Sequence, residues 1–356
     1  MKLPGSLYDL NRRSFIGSAL ALGACQPAAQ SQTSPISLPP LRSIAPFPVG
    51  TAVQAMHLTD PALARLIATQ ASQLTPEWEM KMEYIVLDDG SFRFEAPDAI
   101  AAFARAHGMG LFGHTLVWYA QTSPAFERLD EGRVSFGAAY RNYIHAVVGR
   151  YRGQAVGWDV VNEAVAEDGE GWRDSLWSQR LGAFEHMVLA FQHAREADPN
   201  ARLFLNDYNL EWIPKKRATF LRLVERLLAA GAPLDGVGTQ THVAADQPPG
   251  EIARTIRELG QFGLAVHVSE FDVSISRAQG LMPNRLELER QQAALYGEAA
   301  EAFMALPPRQ RFAFSFWGLR DKDSWLKRED AGDTPLPFDD QGRPKAAAAA
   351  WAAQVG

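Results

Sequence analysis

The chain has 356 residues, 47% of them hydrophobic and 21% charged, with a formal net charge of −6 and a single cysteine. That length and apolar content suffice for one large α/β core. The acidic balance, without a lysine or arginine block long enough to track a phosphate backbone, argues against nucleic acid, and one thiol excludes an internal disulfide.

In chain order, NRRSFIGSALALGAC (residues 11–25) joins an arginine pair to a short apolar run. It reads as a twin-arginine export signal, too short to span a bilayer. Leu22, Gly23, Ala24 and Cys25 resemble a bacterial lipobox, which implies acylation of Cys25. The expectation is an exported protein of the bacterial periplasm or cell envelope, whose partners include the twin-arginine export machinery and which meets a membrane only through that N-terminal lipid. Loss of residues 1–25 removes Lys2, Arg12 and Arg13 against Asp9 alone, so the remainder is more acidic still. Residues 26–41 carry Pro27, Pro35, Pro39 and Pro40 among Gln, Ser and Thr, the composition of a spacer that cannot bury enough apolar surface to order itself. The folded domain is expected over residues 42–356.

Eight short apolar runs follow, at residues 48–53, 71–76, 110–118, 155–163, 202–208, 235–242, 264–271 and 312–318. Between them lie amphipathic segments with Gly or Pro where a helix should stop. Alternation of this kind over most of the chain predicts parallel βα units closing into a TIM (β/α)8 barrel. No glycine-rich phosphate loop follows the first strand, which removes the best argument for a nucleotide-binding open sheet.

Glu163, in GWDVVNEAV, and Glu270, in AVHVSEFDV, each end an apolar run. Two carboxylates at two strand ends are what glycosidic cleavage by paired acids requires, provided the fold brings both onto one face. Other polar and aromatic residues fall at or just past the same ends: Glu77, Lys81, His114, Trp118, Gln121, Asn162, Asn206, Tyr208, Gln240, His242, Asp272 and Trp317. Indoles at Trp118, Trp317 and Trp325 could stack on the C–H faces of sugar rings, while hydroxyls need oriented polar groups. The histidines show no HExxH or comparable ligand spacing, so neither a metal nor another cofactor is expected.

QLTPEWEMKM (residues 73–82), GHTLVW (113–118), WDVVNEAV (158–165), NDYN (206–209), TQTH (239–242), SEFDV (269–273) and FWGLRDKDSW (316–325) together resemble glycoside hydrolase family 10, the endo-β-1,4-xylanases. The resemblance runs from about residue 47 to the C-terminus, and seven motifs in order are far more specific than one Asn-Glu pair. It implies a retaining endo-1,4-β-xylanase acting on xylan and xylo-oligosaccharides, with Glu163 as acid/base and Glu270 as nucleophile. Asn162 would bond the sugar 2-hydroxyl, and His242 with Asp272 would support Glu270. By the same resemblance Glu77, Lys81, His114, Trp118, Gln121, Gln240, Trp317 and Trp325 would line the cleft on the non-reducing side of the scission point, with Tyr208 on the other.

Two positions depart from the family pattern. Trp78 stands where asparagine is usual and Tyr119 where histidine is common. An indole cannot make the donor and acceptor contacts of an amide, so the distal sugar site is expected to bind differently. Two rival readings remain: a sister barrel glycosidase acting on β-1,4-glucan or mannan with the same carboxylates, and a non-catalytic glycan-binding lipoprotein, which would be expected to lack one of them.

Overall fold

The computed structural model describes residues 36–129, 133–279 and 284–356. The leader, Cys25 and residues 26–35 of the expected spacer lie outside them. The end of that spacer is packed rather than loose: Leu38 lies against the core, Leu41 is fully buried, and the Leu41 N–H donates to Gln70 Oε1 at 2.9 Å. Leu38 and Leu41 have a core to cover, and that burial orders this end of the segment.

The apolar runs become strands because both their faces are covered, by helices outside and by side-chain layers inside. They are β1 (Val49–Val53), β2 (Gln73–Pro76), β3 (Gly110–Gly113), β4 (Val117–Trp118), β5 (Ala155–Asn162), β6 (Arg202–Asp207), β7 (Gly236–Thr239), β8 (His242–Ala244), β9 (Ala265–Ser274) and β10 (Arg311–Phe316). Every position of β9 is buried. Eight of the strands close a ring in the order β1-β2-β3-β5-β6-β7-β9-β10 and back to β1, with all pairings parallel. The other two are short continuations at the C-terminal mouth, β4 beside β5 and β8 beside β9.

These continuations correct two expected strands. Residues 110–118 break after Gly113, where the His114–Thr115 peptide is cis, and residues 235–242 break at Thr241, whose φ is +58°. Both breaks fall where the chain leaves the ladder to present side chains to the mouth.

The barrel interior is plugged on the side away from that mouth. Phe112, Phe204, His267 and Phe312 come from β3, β6, β9 and β10, with ring centroids 4.6 Å apart for Phe112–His267 and 4.5 Å for Phe204–Phe312. Burial among these rings pushes the His267 imidazole down to about 3, so it stays neutral, and its Nε2 meets Ser315 Oγ at 2.8 Å. Outside, helix Glu251–Gly260 buries Ile252, Thr255, Ile256 and Leu259 at helical spacing. Each large aliphatic side chain covered this way contributes roughly 1.5–3 kcal/mol. Helix Ala346–Val355 lies on helix Arg285–Ala305 and buries Trp351 completely. Among the described residues no helix is long and apolar enough to cross a membrane.

Candidate active site

Strand ends set the site. β5 delivers Asn162 within the ladder and then turns sharply: Glu163 has φ +57°, a left-handed conformation that costs a non-glycine residue on the order of 1–3 kcal/mol. The turn is gripped from both sides. The Glu163 N–H donates to the Asn206 carbonyl at 2.8 Å, and Arg173 Nε donates to the Glu163 carbonyl at 3.1 Å. β6 brings Asn206 alongside, and Gly238 on β7 leaves it room, since a Cβ there would come within 2.4 Å of Asn206 Oδ1.

The Glu163 carboxylate meets neutral donors. Trp118 Nε1 donates to Oε2 at 2.7 Å, while Gln240 Nε2 and Asn162 Nδ2 reach Oε1 at 2.8 and 3.2 Å. Trp118 is itself fixed by Trp177 Nε1 on its carbonyl at 2.7 Å. Burial raises the Glu163 pKa, the Gln240 and Trp118 hydrogen bonds oppose the rise, and the charges of Asp207 and Glu270 add to it. The net direction is up, as a proton donor needs.

Glu270 has the opposite surroundings. Burial would raise its pKa, but His114, His242 and Lys81 outweigh it and hold the carboxylate below its ordinary range. His242 Nε2 lies 3.3 Å from Glu270 Oε2, and its Nδ1 lies 2.9 Å from Asp272 Oδ2. Burial acts to lower the His242 pKa, yet the Asp272 and Glu270 charges carry it up to about 10, so the ring is a cation. Asp272 is anchored by Trp325 Nε1 at 2.9 Å. Asn206 joins the two acids: its Nδ2 donates to Glu270 Oε1 at 2.9 Å and to Asn162 Oδ1 at 3.0 Å.

Most of the expected residues converge on one cleft of about 400 Å³: Glu77, Lys81, His114, Trp118, Asn162, Glu163, Tyr208, Gln240, His242, Glu270, Trp317 and Trp325. Asp272 stands behind His242. Gln121 is placed elsewhere. With φ of +50°, it donates from Nε2 to Glu83 Oε2 at 2.6 Å and lies outside the cleft lining. Trp78 also lies outside that lining, 39% exposed and edge-on to Tyr84 at 4.8 Å. Tyr119 does line the cleft, with the Arg173 guanidinium 4.1 Å from its ring.

Several contributors carry no sequence signal of their own. Asp159 bonds His114 Nδ1 at 2.8 Å, and burial raises its pKa to about 6 against the opposing pull of His114. His114, Asp159 and Glu270 have ligand atoms within 4.8 Å of one another. Asp159 Oδ2 is engaged by His114 and Glu270 Oε1 by Asn206, so those lone pairs already serve the hydrogen-bond network. On the far side of Glu163, Lys216 is fully buried, 3.1 Å from Asp207 and 3.4 Å from the centre of the Tyr208 ring. A larger groove of about 560 Å³ lies between helices Glu251–Gly260 and Arg285–Ala305. Its Glu298 is occupied by the backbone N–H groups of Gly250 and Ala253, at 2.9 and 3.0 Å, so volume alone does not mark the chemistry.

Comparison with known proteins agrees with this geometry. The model of glycosyl hydrolase family 10 matches residues 42–354. Endo-1,4-beta-xylanase A of Caldicellulosiruptor sp. (strain Rt8B.4) is 36% identical over 315 residues, which is 84% of this chain and 45% of that protein. Endo-1,4-beta-xylanase B of Paenibacillus barcinonensis is 36% identical over 312 residues, 84% of this chain and 92% of that protein. The crystal structure of xylanase B from Clostridium stercorarium F9 superposes with a TM-score of 0.80 at 34% identity, covering 89% of this chain and 99% of that one. The chain thus spans less than half of the Caldicellulosiruptor relative and nearly all of the Paenibacillus one. With a matching barrel, matching motifs at successive strand ends and two carboxylates converging on one cleft, the chain belongs to glycosyl hydrolase family 10.

Proposed function

We propose that the protein is an endo-1,4-β-xylanase that cleaves internal β-1,4-xylosidic bonds with retention of configuration. The observation that carries the reading is the division between the two carboxylates, one raised by burial among neutral donors and the other held down by cations. In the first step Glu270 attacks the anomeric carbon while Glu163 gives its proton to the departing glycosidic oxygen, leaving a glycosyl ester on Glu270. The ester is neutral, so one source of the raised Glu163 pKa disappears. Glu163 then takes a proton from water, which attacks the anomeric carbon and frees Glu270. Asn162, held by Asn206, would bond the sugar 2-hydroxyl as charge develops on the ring. Glu77, Lys81, Trp317 and Trp325 would hold the glycone, and Tyr208 the aglycone.

The test is product analysis on glucuronoxylan, arabinoxylan, β-1,4-glucan and mannan, with the first anomer read by NMR and Glu163→Ala and Glu270→Ala as controls. Rapid cleavage of both xylans to β-configured ends is expected. A first-formed α-anomer would remove the retaining mechanism, faster cleavage of glucan or mannan would move the substrate, and binding without turnover would favour a capture protein. The same reading includes export through the twin-arginine machinery and lipid attachment at Cys25, with the catalytic domain held in the periplasm or cell envelope. Incorporation of labelled fatty acid, abolished in Cys25→Ala, is the expected result; a leader cleaved elsewhere without label would contradict it.

A further inference from the structure

Three cationic side chains stand at the glycone end of the cleft, although the cleavage of a neutral polysaccharide needs none of them at its rim. Arg277, Arg328 and Lys81 all line it, close to Trp325 and Glu77. Their situations differ. Arg277 is already committed: its Nε and Nη2 donate to the two oxygens of Glu329 at 3.0 and 2.6 Å, and its guanidinium rests 4.9 Å from the Trp325 ring. Lys81 sits deeper, 4.7 Å from the Trp118 ring and within reach of the charges of Glu270, Glu163 and Glu77.

Arg328 is the exception. It closes the short turn Trp325–Arg328, is exposed at the cleft lip and acts electrostatically on both Glu77 and Lys81. Among the described residues no carboxylate comes within 4 Å of its guanidinium. Glu77, the acid of the lining that feels its charge, is partly buried and bonded to Gln54. Lys81 is answered by Glu270, Glu163 and Glu77 and Arg277 by Glu329, which leaves Arg328, among the described residues, as the cation of this end without a carboxylate partner of its own.

Resting on the xylanase reading above, we infer that Arg328 selects acidic xylan by receiving the carboxylate of a uronic acid side group on a sugar bound at the non-reducing side of the scission point. A xylose hydroxyl gains little from a full charge that a neutral donor would not supply. A carboxylate matches the planar two-pronged guanidinium in both geometry and sign. Because the group is exposed, its attraction reaches into solvent and is screened by salt. The uncommitted arginine thus discriminates between decorated and bare chain without touching the bond that breaks.

The test compares initial rates on a linear xylo-oligosaccharide and on one of equal length bearing a single glucuronic acid, for the wild type, Arg328→Gln and Arg328→Lys, at low and high NaCl. The ratio of kcat/KM, acidic over neutral, is expected to fall about tenfold in Arg328→Gln, the loss of one charge-assisted contact. High salt should lower the wild-type ratio in the same direction. Arg328→Lys should recover part of it, since charge survives and the fork does not. The wild-type product carrying the uronic acid should be the glycone fragment. If Arg328→Gln lowers both rates by one factor, or if the ratio ignores salt and substitution alike, this inference falls while the hydrolase reading stands. A wild type that cleaves neither compound removes both.

Discussion

The surroundings of Glu163 and of Glu270 are built from different chemistry although the first directly follows β5, the second lies within β9, and both are nearly enclosed. Around Glu163 the donors are an indole N–H and two amide groups, which bond the carboxylate without bringing charge. Around Glu270 there are two histidines and a lysine. Burial raises the pKa of either acid, and only the second set of partners carries enough charge to reverse it. Strand position therefore brings the two carboxylates to one cleft, and their neighbours, from the same strand, from directly paired strands and from across the barrel, set them apart.

Removing the acids breaks the comparison most severely. Glu270→Ala should lower kcat on xylan on the order of 10⁴-fold or more, whatever the leaving group. Glu163→Ala should cost roughly 10²–10⁴-fold on xylan, the range of general acid catalysis. It should cost far less in the first step on an aryl xyloside whose phenolate departs without a proton. Equal losses of both variants on both substrates would erase the distinction between the two pockets.

Smaller changes test the neighbours. Asp272→Asn removes the principal charge that keeps His242 cationic, so the acidic limb of kcat/KM should move to higher pH as Glu270 loses a cationic partner. An unmoved limb would show that His242 does not set the Glu270 charge. Stability offers a second reading. The folded His242 pKa, near 10, lies above its ordinary 6.5, so its contribution is complete below pH 6.5 and declines as pH rises toward 10. Melting temperatures should drop less over that interval in His242→Gln than in the wild type. The smallest effect expected is at the rim: Trp78→Asn should change KM and the cleavage pattern on short xylo-oligosaccharides, while identical products from both proteins would place Trp78 outside the binding path.

The barrel was legible because alternating apolar runs and helical segments constrain a parallel sheet to few topologies. The breaks at His114 and Thr241 were not, since an apolar run shows no sign of where the chain leaves its ladder. Both acids, Asn162, His242 and Asp272 were legible from motifs within strands. Asp159 was hidden inside the apolar run before Glu163, and its role exists only because β3 lies beside β5 and brings His114 within 2.8 Å. Arg173 was likewise invisible, a loop arginine whose partner is a backbone carbonyl. Gln121 shows the reverse case: the resemblance put it among the cleft residues, whereas its side chain donates to Glu83 outside the cleft lining, a contact its sequence position does not announce.

The opposite protonation of the two carboxylates is most directly tested by NMR titration of the protein labelled at the glutamate side-chain carboxyls, with Glu163→Gln and Glu270→Gln for assignment. One buried carboxyl should titrate above the ordinary value of 4.5 and vanish in Glu163→Gln, and another should titrate below it and vanish in Glu270→Gln. A higher pKa at Glu270 than at Glu163 would contradict the division of labour on which the mechanism rests.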